Sequence, residues 1–461
     1  MPSLSRPSTP PKLSGARVLV VGAARSGVAL ARFLLTRQAA VVLTDLKSAA
    51  ALGPEVAALG REGVTLELEG HDTASFLDAD LIAVSPGVPL SSPHLVEARR
   101  KGVRVVAEVE VASWFLRGIL IGITGSNGKS TTTSLAAHIL SHAGLKATAC
   151  GNLGTPLTEM IARDAPDHYY AIELSSFQLE GIDTFRPWIA ALLNLAPNHL
   201  DRYPDLLAYY QAKCRLFANQ GPSDHAILNR DDAEIWGLAS TLRSRVHPFS
   251  RAGDLEDGAC IHGDQIVVRR GGREIRALPL DSVPLFGRHN LDNVMTALLV
   301  ADLCGVPMPK AARAIRVFRG LPHRLEKVRD LGGVAFYNDS KATSVAATAT
   351  ALGAFEGHVI LILGGKDKGG DFRSLLPLLR ERVTHLVLMG QARDTIASQV
   401  GPILPTTRVV GMAEAVEAAR AAAVPGGVVL LAPACASFDQ YSGFEERGED
   451  FRRRVLALAE A

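Results

Sequence analysis

Runs of apolar residues alternate with glycine turns and amphipathic stretches from the start of the chain. The stretch "ARVLVVGAARSGVALARFLLTR" predicts a buried strand at 18–21, a glycine turn, and a helix with an apolar side formed by Val28, Leu30, Phe33 and Leu34. The runs "AAVVLTD" and "ADLIAVSPGVP" predict further strands before about residue 112. Because strands and helices alternate at this spacing, we expect a parallel sheet with right-handed crossovers.

Two further blocks repeat this alternation. In the second, "GILIGITG", "HYYAIEL", "WIAALLNL" and "DHAILN" predict strands, residues 244–286 predict a small antiparallel excursion, and a helix follows from about Asn290. In the third, "HVILILGG", "THLVLMG" and "GVVLLAP" predict buried strands. The fold class is therefore α/β with three domains after a disordered tail at 1–14. These are a Rossmann-like domain at 15–112, a P-loop-type mononucleotide-binding domain at 113–319 and a Rossmann-like domain at 320–461.

Composition excludes several classes of protein. The 461 residues include 49 basic and 47 acidic side chains, and the net charge of +2 argues against a nucleic-acid-binding surface. Five dispersed cysteines without a C-x-x-C pair suit reduced thiols. The proline- and serine-rich start lacks the apolar region of a signal peptide, and no apolar run approaches the ~20 residues of a membrane span. We expect a monomeric cytoplasmic protein without nucleic-acid or membrane partners.

The first glycine turn, Gly22 to Gly27, reads G-x-A-x-x-G and is followed by Asp45 at the end of the next strand. A short turn before a helix offers unpaired N–H groups to an anion. A diphosphate-containing ligand, NAD(P), and a turn that serves packing alone all fit this pattern. The segment "SPGVP" at 85–89 either lines the same crevice or is a plain Pro-Gly turn.

The second glycine turn, "GITGSNGKSTTTS", almost matches a Walker A loop, G-x-x-x-x-G-K-[ST]. Ile123 stands where that pattern places its first glycine, but Gly128, Lys129 and Ser130 supply its end. The small residues before Lys129 let backbone N–H groups face phosphate oxygens. Lys129 would provide charge for the terminal phosphates, and Ser130 or Thr131 a hydroxyl for magnesium. The pattern therefore predicts a variant ATP loop.

The ends of two neighbouring strands support that interpretation. Glu173 follows a buried strand and is a suitable oxygen ligand for phosphate-bound Mg²⁺. The next strand ends in "NLAPNHLDRYP", which presents Asn194, His199 and Asp201. A histidine in isolation is more often structural, whereas beside an ATP loop His199 becomes a candidate active-site group.

At this point the chain resembles the Mur ligase family. Its ATP signature, T-G-x-N-G-K-[ST], matches Thr124 to Ser130 throughout, and the resemblance extends over about residues 15–461. Further matching stretches are "ELSSFQLE", "GLPHRLE", "NDSKAT", "GGKDKGGDF" and "PACASFDQY". The resemblance implies an ATP-dependent amide ligase of peptidoglycan synthesis. It most favours the activity that adds D-glutamate to UDP-N-acetylmuramoyl-L-alanine through an acyl phosphate.

The resemblance also implies roles for individual residues. Lys129, His199 and Lys213 would be catalytic, and Lys213 would react with CO₂ to form a carbamate, although its helix pattern alone suggests a solvated side chain. Two Mg²⁺ ions would be held by Ser130, Glu173, His199 and Lys213. ATP would contact Thr124, Gly125, Ser126, Asn127, Gly128, Lys129, Ser130, Thr131, Asn293, Arg324, Asp339 and Lys341. The other substrates, including UDP at the first turn, would contact Arg25, Ser26, Asp45, Ser85, Asn152, Ser175, His199, Lys368, Ser437, Phe438 and Phe444.

Other functions remain open on the sequence. A sister Mur ligase with another amino acid, or a ligase similar to folylpolyglutamate synthase, differs in the amino acid that stimulates ADP release. An NAD(P)-binding oxidoreductase or sensor would bind NADH without ATP hydrolysis, and a nucleotide-regulated scaffold would tolerate loss of Lys129.

The chain also departs from the family at Asn198, where an acid usually precedes the histidine. We expect the C-terminal domain to close over the reaction centre.

Overall fold

A computed structural model describes residues 10–197, 202–285 and 287–459. The predicted site residue His199 lies outside the described residues, as do Asn198 and Asp201. The chain forms two compact units: the first comprises the chain up to Val283 and His289–Phe318, and the second comprises Pro284–Arg288 and the chain from Arg319. All five cysteines carry free thiols.

The first unit contains a five-stranded sheet with the order β3-β2-β1-β4-β5, and all of its pairings are parallel, as predicted. Its strand order reverses at β1, so a crevice opens beyond the carboxyl ends of β1 and β4. The elements are β1 (Arg17–Val21), α1 (Arg25–Thr36), β2 (Ala40–Asp45), α2 (Ala49–Leu52), α3 (Pro54–Glu62), β3 (Thr65–Leu68), α4 (Thr73–Leu77), β4 (Leu81–Val84), α5 (Pro93–Arg100), β5 (Arg104–Ala107) and α6 (Glu108–Phe115).

The same unit contains a nine-stranded sheet, ordered β14-β13-β12-β11-β10-β9-β6-β8-β7. Its pairings are parallel from β7 to β12, and only β12-β13-β14 is antiparallel, which confirms the predicted excursion. The elements are β6 (Ile119–Thr124), α7 (Lys129–His142), β7 (Lys146–Gly151), a 3₁₀ helix (Leu157–Arg163), β8 (His168–Glu173), α8 (Ser176–Glu180), β9 (Ile189–Leu192), α9 (Leu206–Cys214), a 3₁₀ helix (Arg215–Phe217), β10 (His225–Asn229), α10 (Ala233–Trp236), β11 (Arg245–Ser250), β12 (Gly258–His262), β13 (Gln265–Arg270), β14 (Arg273–Pro279), a 3₁₀ helix (Leu280–Ser282), α11 (Asn290–Leu303) and α12 (Met308–Val317).

The second unit contains a six-stranded sheet, ordered β15-β16-β20-β17-β18-β19. The three predicted buried strands are β17, β18 and β20. The pattern missed β15, β16 and β19: "EKVRDL" and "TTR" lie at the sheet edges and lack an apolar run, and "VAFYN" is a short run of five residues. The elements are β15 (Glu326–Leu331), β16 (Val334–Asn338), α13 (Val345–Leu352), β17 (Val359–Gly364), a 3₁₀ helix (Phe372–Leu375), α14 (Leu376–Arg382), β18 (Val383–Met389), α15 (Arg393–Val400), β19 (Thr406–Arg408), α16 (Met412–Ala422), β20 (Val428–Leu431) and α17 (Phe444–Ala457).

Two buried glutamates on α6 join the sheets of the first unit. The Glu110 carboxylate is fully buried and accepts hydrogen bonds from the backbone N–H groups of Asp183, Thr184 and Phe185 at 2.8–2.9 Å. Two residues earlier, Oε1 of Glu108 accepts from the Thr158 N–H and hydroxyl, whereas its buried Oε2 has no partner. The first carboxylate is thus saturated with donors and the second is not.

Replacing Glu110 with Gln should lower the free energy of unfolding by roughly 2–4 kcal/mol, because an amide NH₂ would face backbone donors that lose their acceptor. Denaturant titration of the purified protein measures the change. Glu97→Gln, in an exposed pair with Arg100 on α5, is the control and should shift stability by less than about 1 kcal/mol. Equal effects of the two substitutions would contradict the role given to Glu110.

Glu108 should make stability depend on pH in the opposite sense to a paired carboxylate. Burial raises the pKa of its carboxyl from 4.5 to about 7, so the folded state holds a proton that the unfolded state releases. Its contribution is complete below pH 4.5 and is lost as pH rises through about 7, a difference of ~3 kcal/mol. Glu108→Gln imitates the protonated form and should remove this dependence. Urea unfolding of both proteins between pH 5 and 8 tests it, and parallel curves would contradict it.

Candidate functional site

The second glycine turn leads from β6 into α7, and its shape depends on Gly128. This residue precedes the first residue of the helix, Lys129, and has a φ of 81°, a left-handed conformation that suits glycine. A Cβ atom added here would lie 2.3 Å from Oδ1 of Asn293. The backbone therefore approaches α11 more closely than any other residue type permits.

The end of β9 fixes the turn from the other side. The Asn127 N–H donates to Oδ1 of Asn194 at 2.8 Å, and the Asn194 amide donates back to the Asn127 carbonyl at 3.1 Å. The Ser126 N–H donates to the Asn194 carbonyl, and its hydroxyl to the Ala196 carbonyl, both at 2.9 Å. The Tyr209 hydroxyl lies 3.2 Å from that of Ser126. These contacts hold the turn in one conformation.

Two lysines share one carbonyl oxygen in this turn. Nζ of Lys129 donates to the carbonyls of Gly125 and Ser126, and Nζ of Lys213, from α9, donates to the same Gly125 oxygen, all at 2.9 Å. Lys213 is only 1% exposed, so the solvated position suggested by its helix pattern is wrong. Burial, and then the charge of Lys129, lowers the pKa of Lys213 well below its usual value, against the opposing effect of Glu173. The surroundings of Lys213 therefore favour its uncharged form more than water does.

Glu173 provides a buried oxygen beside this turn. Its side chain is 4% exposed, Oε1 accepts from the Asn152 amide at 2.9 Å, and the buried Oε2 has no hydrogen-bond partner. Ser130, on the first turn of α7, is also 4% exposed. An unpaired carboxylate oxygen near a helix N-terminus suits Mg²⁺, which takes few protein ligands when it binds with substrate phosphates. The described residues include no cluster of three or more His, Cys, Asp or Glu side chains that could hold a metal ion.

Three other predicted residues lie at the edges of this turn. Thr131 is buried on the first turn of α7. The Asn293 side chain accepts from the Thr132 hydroxyl at 3.0 Å and donates to Oδ1 of Asn290 at 2.7 Å, so it supports the turn directly. Ser175 caps α8 and forms a capping box with Gln178.

The first glycine turn is held by two of its predicted residues. The Ala23 N–H donates to Oδ2 of Asp45 at 2.8 Å, and the Ser85 hydroxyl donates to the Gly22 carbonyl at 2.7 Å. Arg25, at the start of α1 beside Ser26, is exposed, with Nε 3.8 Å from Glu159. The structure therefore gathers all four predicted residues around the crevice between β1 and β4.

The second unit brings together part of its predicted set. The Leu325 N–H donates to Oδ1 of Asp339 at 3.2 Å, and burial raises the pKa of Asp339 to about 6 against the nearby charges of Arg324 and Lys341. Nζ of Lys341 lies 5.1 Å from the ring centroid of Phe444. Ser437 is buried, whereas Lys368 and Phe438 are exposed.

Sequence reasoning missed Tyr209 and Arg202. The Arg202 guanidinium donates to the carbonyls of Gly87 and Val88 at 3.0 and 2.7 Å, and lies 3.9 Å from the ring centroid of Phe177. It thereby ties the "SPGVP" segment to the large sheet. No local pattern signals such a contact, because its partners lie more than 110 positions away.

Comparison with known proteins places this arrangement in a family. Three family models match the chain. The model of the Mur ligase middle domain matches residues 123–301, that of the MurD-like N-terminal domain matches 16–107, and that of the Mur ligase glutamate ligase domain matches 323–435. A curated UDP-N-acetylmuramoylalanine–D-glutamate ligase from Geobacter metallireducens is 44% identical over 97% of this chain and 98% of its own length. The chain belongs to the Mur ligase family.

Other relatives agree with this family assignment. A ligase of the same name from Acidobacterium capsulatum is 44% identical over 97% of both chains. The solved structure of UDP-N-acetylmuramate-alanine ligase from Thermotoga maritima matches with a TM-score of 0.57 and 18% identity, covering 96% of this chain and 99% of the other. A pseudomurein peptide ligase type C from Methanothermus fervidus gives a TM-score of 0.58 at 16% identity, covering 96% and 100%. The predicted family and α/β fold are confirmed. No described helix combines the length and apolar composition needed to cross a membrane.

Gly128→Ala should abolish measurable binding of ATP·Mg²⁺ by the Mur ligase turn, because the added Cβ collides with Asn293 and the left-handed φ adds about 1 kcal/mol of strain. Isothermal titration calorimetry measures binding, and a thermal melt reports folding. Gly144→Ala is the matched control: it has a φ of 93° just after α7, but its Cβ meets nothing within 4 Å. The control should lose similar conformational stability and keep its affinity. Normal ATP binding by Gly128→Ala would contradict the assignment.

Proposed function

We propose that this chain is the ATP-dependent ligase that joins D-glutamate to UDP-N-acetylmuramoyl-L-alanine in peptidoglycan synthesis. The observation that carries the proposal is 44% identity, over 97% of the chain, with curated enzymes of that name. The fixed glycine turn, the unpaired oxygen of Glu173 and the buried Lys213 supply the chemistry that such a reaction needs. The enzyme acts in the cytoplasm as a monomer.

The reaction must first activate a carboxylate, which is a poor electrophile. The L-alanine carboxylate attacks the γ-phosphate of ATP and gives an acyl phosphate and ADP. The D-glutamate amine then attacks the acyl carbon, and the tetrahedral intermediate expels phosphate. The N–H groups of the turn and the ammonium of Lys129 stabilise charge on the transferred phosphoryl group, which is most of what such a transfer requires.

The buried oxygens fit magnesium, and the neutral amine fits a carbamate. Ser130 and Oε2 of Glu173 would hold Mg²⁺, which when bound neutralises charge on the phosphates. The uncharged amine of Lys213 would add to CO₂ and release one proton, and the resulting carbamate would offer an oxygen ligand to a second ion. The resemblance assigns His199 to this second ion and to the substrate, and its role as general base stays a prediction.

The remaining residues select the other substrates. The crevice at the first glycine turn, with Asp45 and Ser85 at its walls, takes the UDP moiety at a helix N-terminus. In the second unit, Lys368, Ser437 and the phenylalanines Phe438 and Phe444 bind D-glutamate, while Arg324, Asp339 and Lys341 contact ATP.

Phosphate release with ATP, Mg²⁺ and UDP-N-acetylmuramoyl-L-alanine should require D-glutamate. A panel containing D-glutamate, L-alanine and meso-diaminopimelate tests this. If only an amino acid other than D-glutamate stimulates phosphate release, the chain is a sister ligase and the proposal is wrong. Tight NADH binding without ATP turnover would instead indicate an oxidoreductase.

Lys129→Ala should reduce kcat by roughly 10²–10³-fold, because a preorganised cation is lost from the phosphoryl group. Steady-state phosphate release measures the loss. Lys146→Ala, at the exposed start of β7, is the control and should leave kcat unchanged. Full activity of Lys129→Ala would contradict the role given to this lysine.

A further inference from the structure

The largest fully buried side chain of the described residues is an arginine, Arg447, in the second unit. It lies on the first turns of α17 and is 1% exposed, and no described carboxylate forms an ion pair with it. Burying an unpaired guanidinium costs free energy unless every donor is satisfied. Such a residue therefore calls for an explanation beyond packing.

The guanidinium of Arg447 bridges two separate segments of the chain. Nε donates to the Ser340 hydroxyl at 3.0 Å and Nη2 to the Ser340 carbonyl at 2.9 Å, both in the NDSKAT segment (338–343). Nη1 donates to the carbonyls of Cys435 and Ala436 at 3.1 and 3.2 Å, in the PACASF segment (433–438). The planar fork of arginine can satisfy both segments at once, whereas a lysine ammonium cannot.

A third segment is attached to the same group. Lys366, in the GGKDK segment (364–368), exchanges backbone hydrogen bonds with Ala436 at 2.8 and 3.0 Å. A Cβ on Gly365 would lie 3.0 Å from Nη1 of Arg447, so the guanidinium packs directly against this segment. The Ser340 hydroxyl, which Arg447 orients, also donates to the Phe444 carbonyl at 2.8 Å.

We propose that Arg447 is a positioning residue that fixes the relative placement of the NDSKAT, PACASF and GGKDK segments, so that the groups they carry bind ATP and D-glutamate together. This inference rests on the proposed function. Each segment contributes residues assigned to these two substrates: Asp339 and Lys341, Ser437 and Phe438, and Lys368. Arg447 itself touches no substrate and acts through backbone carbonyls and Ser340.

Arg447→Lys should raise the KM for D-glutamate and for ATP at least about tenfold each, and leave the KM for UDP-N-acetylmuramoyl-L-alanine unchanged. The UDP-bearing substrate is assigned to the first unit, which the substitution does not touch. A purely structural role predicts fewer active molecules, hence a lower apparent kcat with all three KM values unchanged. That result would overturn the proposal.

Arg382→Lys is the matched control. Nη1 of Arg382 donates to three carbonyls of the same unit, those of Leu352, Gly353 and Phe355, at 2.7–3.3 Å and away from the three segments. It should lower the melting temperature without changing any KM. If Arg447→Lys does not fold, Ser340→Ala removes one acceptor of the guanidinium and should raise the same two KM values, by a smaller factor.

Hydrogen exchange of the unliganded protein tests the positioning independently of activity. In Arg447→Lys the three segments should lose protection together, whereas residues 359–363 of β17 and the strand β18 keep theirs. Unchanged protection of the segments would refute the positioning role of Arg447, whichever amino acid the enzyme uses. If the segments lose protection in the variant but D-glutamate does not stimulate the wild-type enzyme, the proposed function is refuted and the positioning role is retained.

Discussion

The arrangement of the turn between β6 and α7 depends on the carbonyl oxygen of Gly125, which accepts hydrogen bonds from two lysines at once. One oxygen draws Nζ of Lys129 and Nζ of Lys213 together, although their charges repel each other. Burial, and then the charge of Lys129, lowers the pKa of Lys213 well below its usual value. The turn thus holds two amines of different character on one oxygen, and protonation is disfavoured at the buried one.

This constraint explains why the turn is fixed from so many directions. A carbonyl that orients two amines must itself be held, and the contacts of Asn127 and Ser126 with the end of β9 provide that support. Gly128 makes the close approach to α11 possible, since any side chain would collide with Asn293. A preorganised turn can stabilise developing charge without reorganising during the reaction.

Each unit contains a buried charged side chain that forms hydrogen bonds with backbone groups of distant segments. In the first, the Glu110 carboxylate gathers three backbone N–H groups and joins α6 to the large sheet. In the second, the Arg447 guanidinium gathers backbone carbonyls and joins two loops. In each case the buried charge is tolerated because backbone groups form hydrogen bonds with it. These bonds fix the arrangement of segments that are distant in sequence.

The sequence by itself determined the α/β class, the parallel sheets, the family and the glycine turns, because these depend on short-range periodicity and on contiguous motifs. Lys129, Ser130 and Glu173 could be predicted as site residues from the residues alone, since each directly follows a predicted strand or turn. Only the tertiary structure decided that Lys213 is buried, that burial raises the pKa of Glu108 to about 7, and that Arg202 and Arg447 tie loops together. The burial and pairing of a side chain depend on residues far away in the chain, so a local sequence pattern does not indicate them.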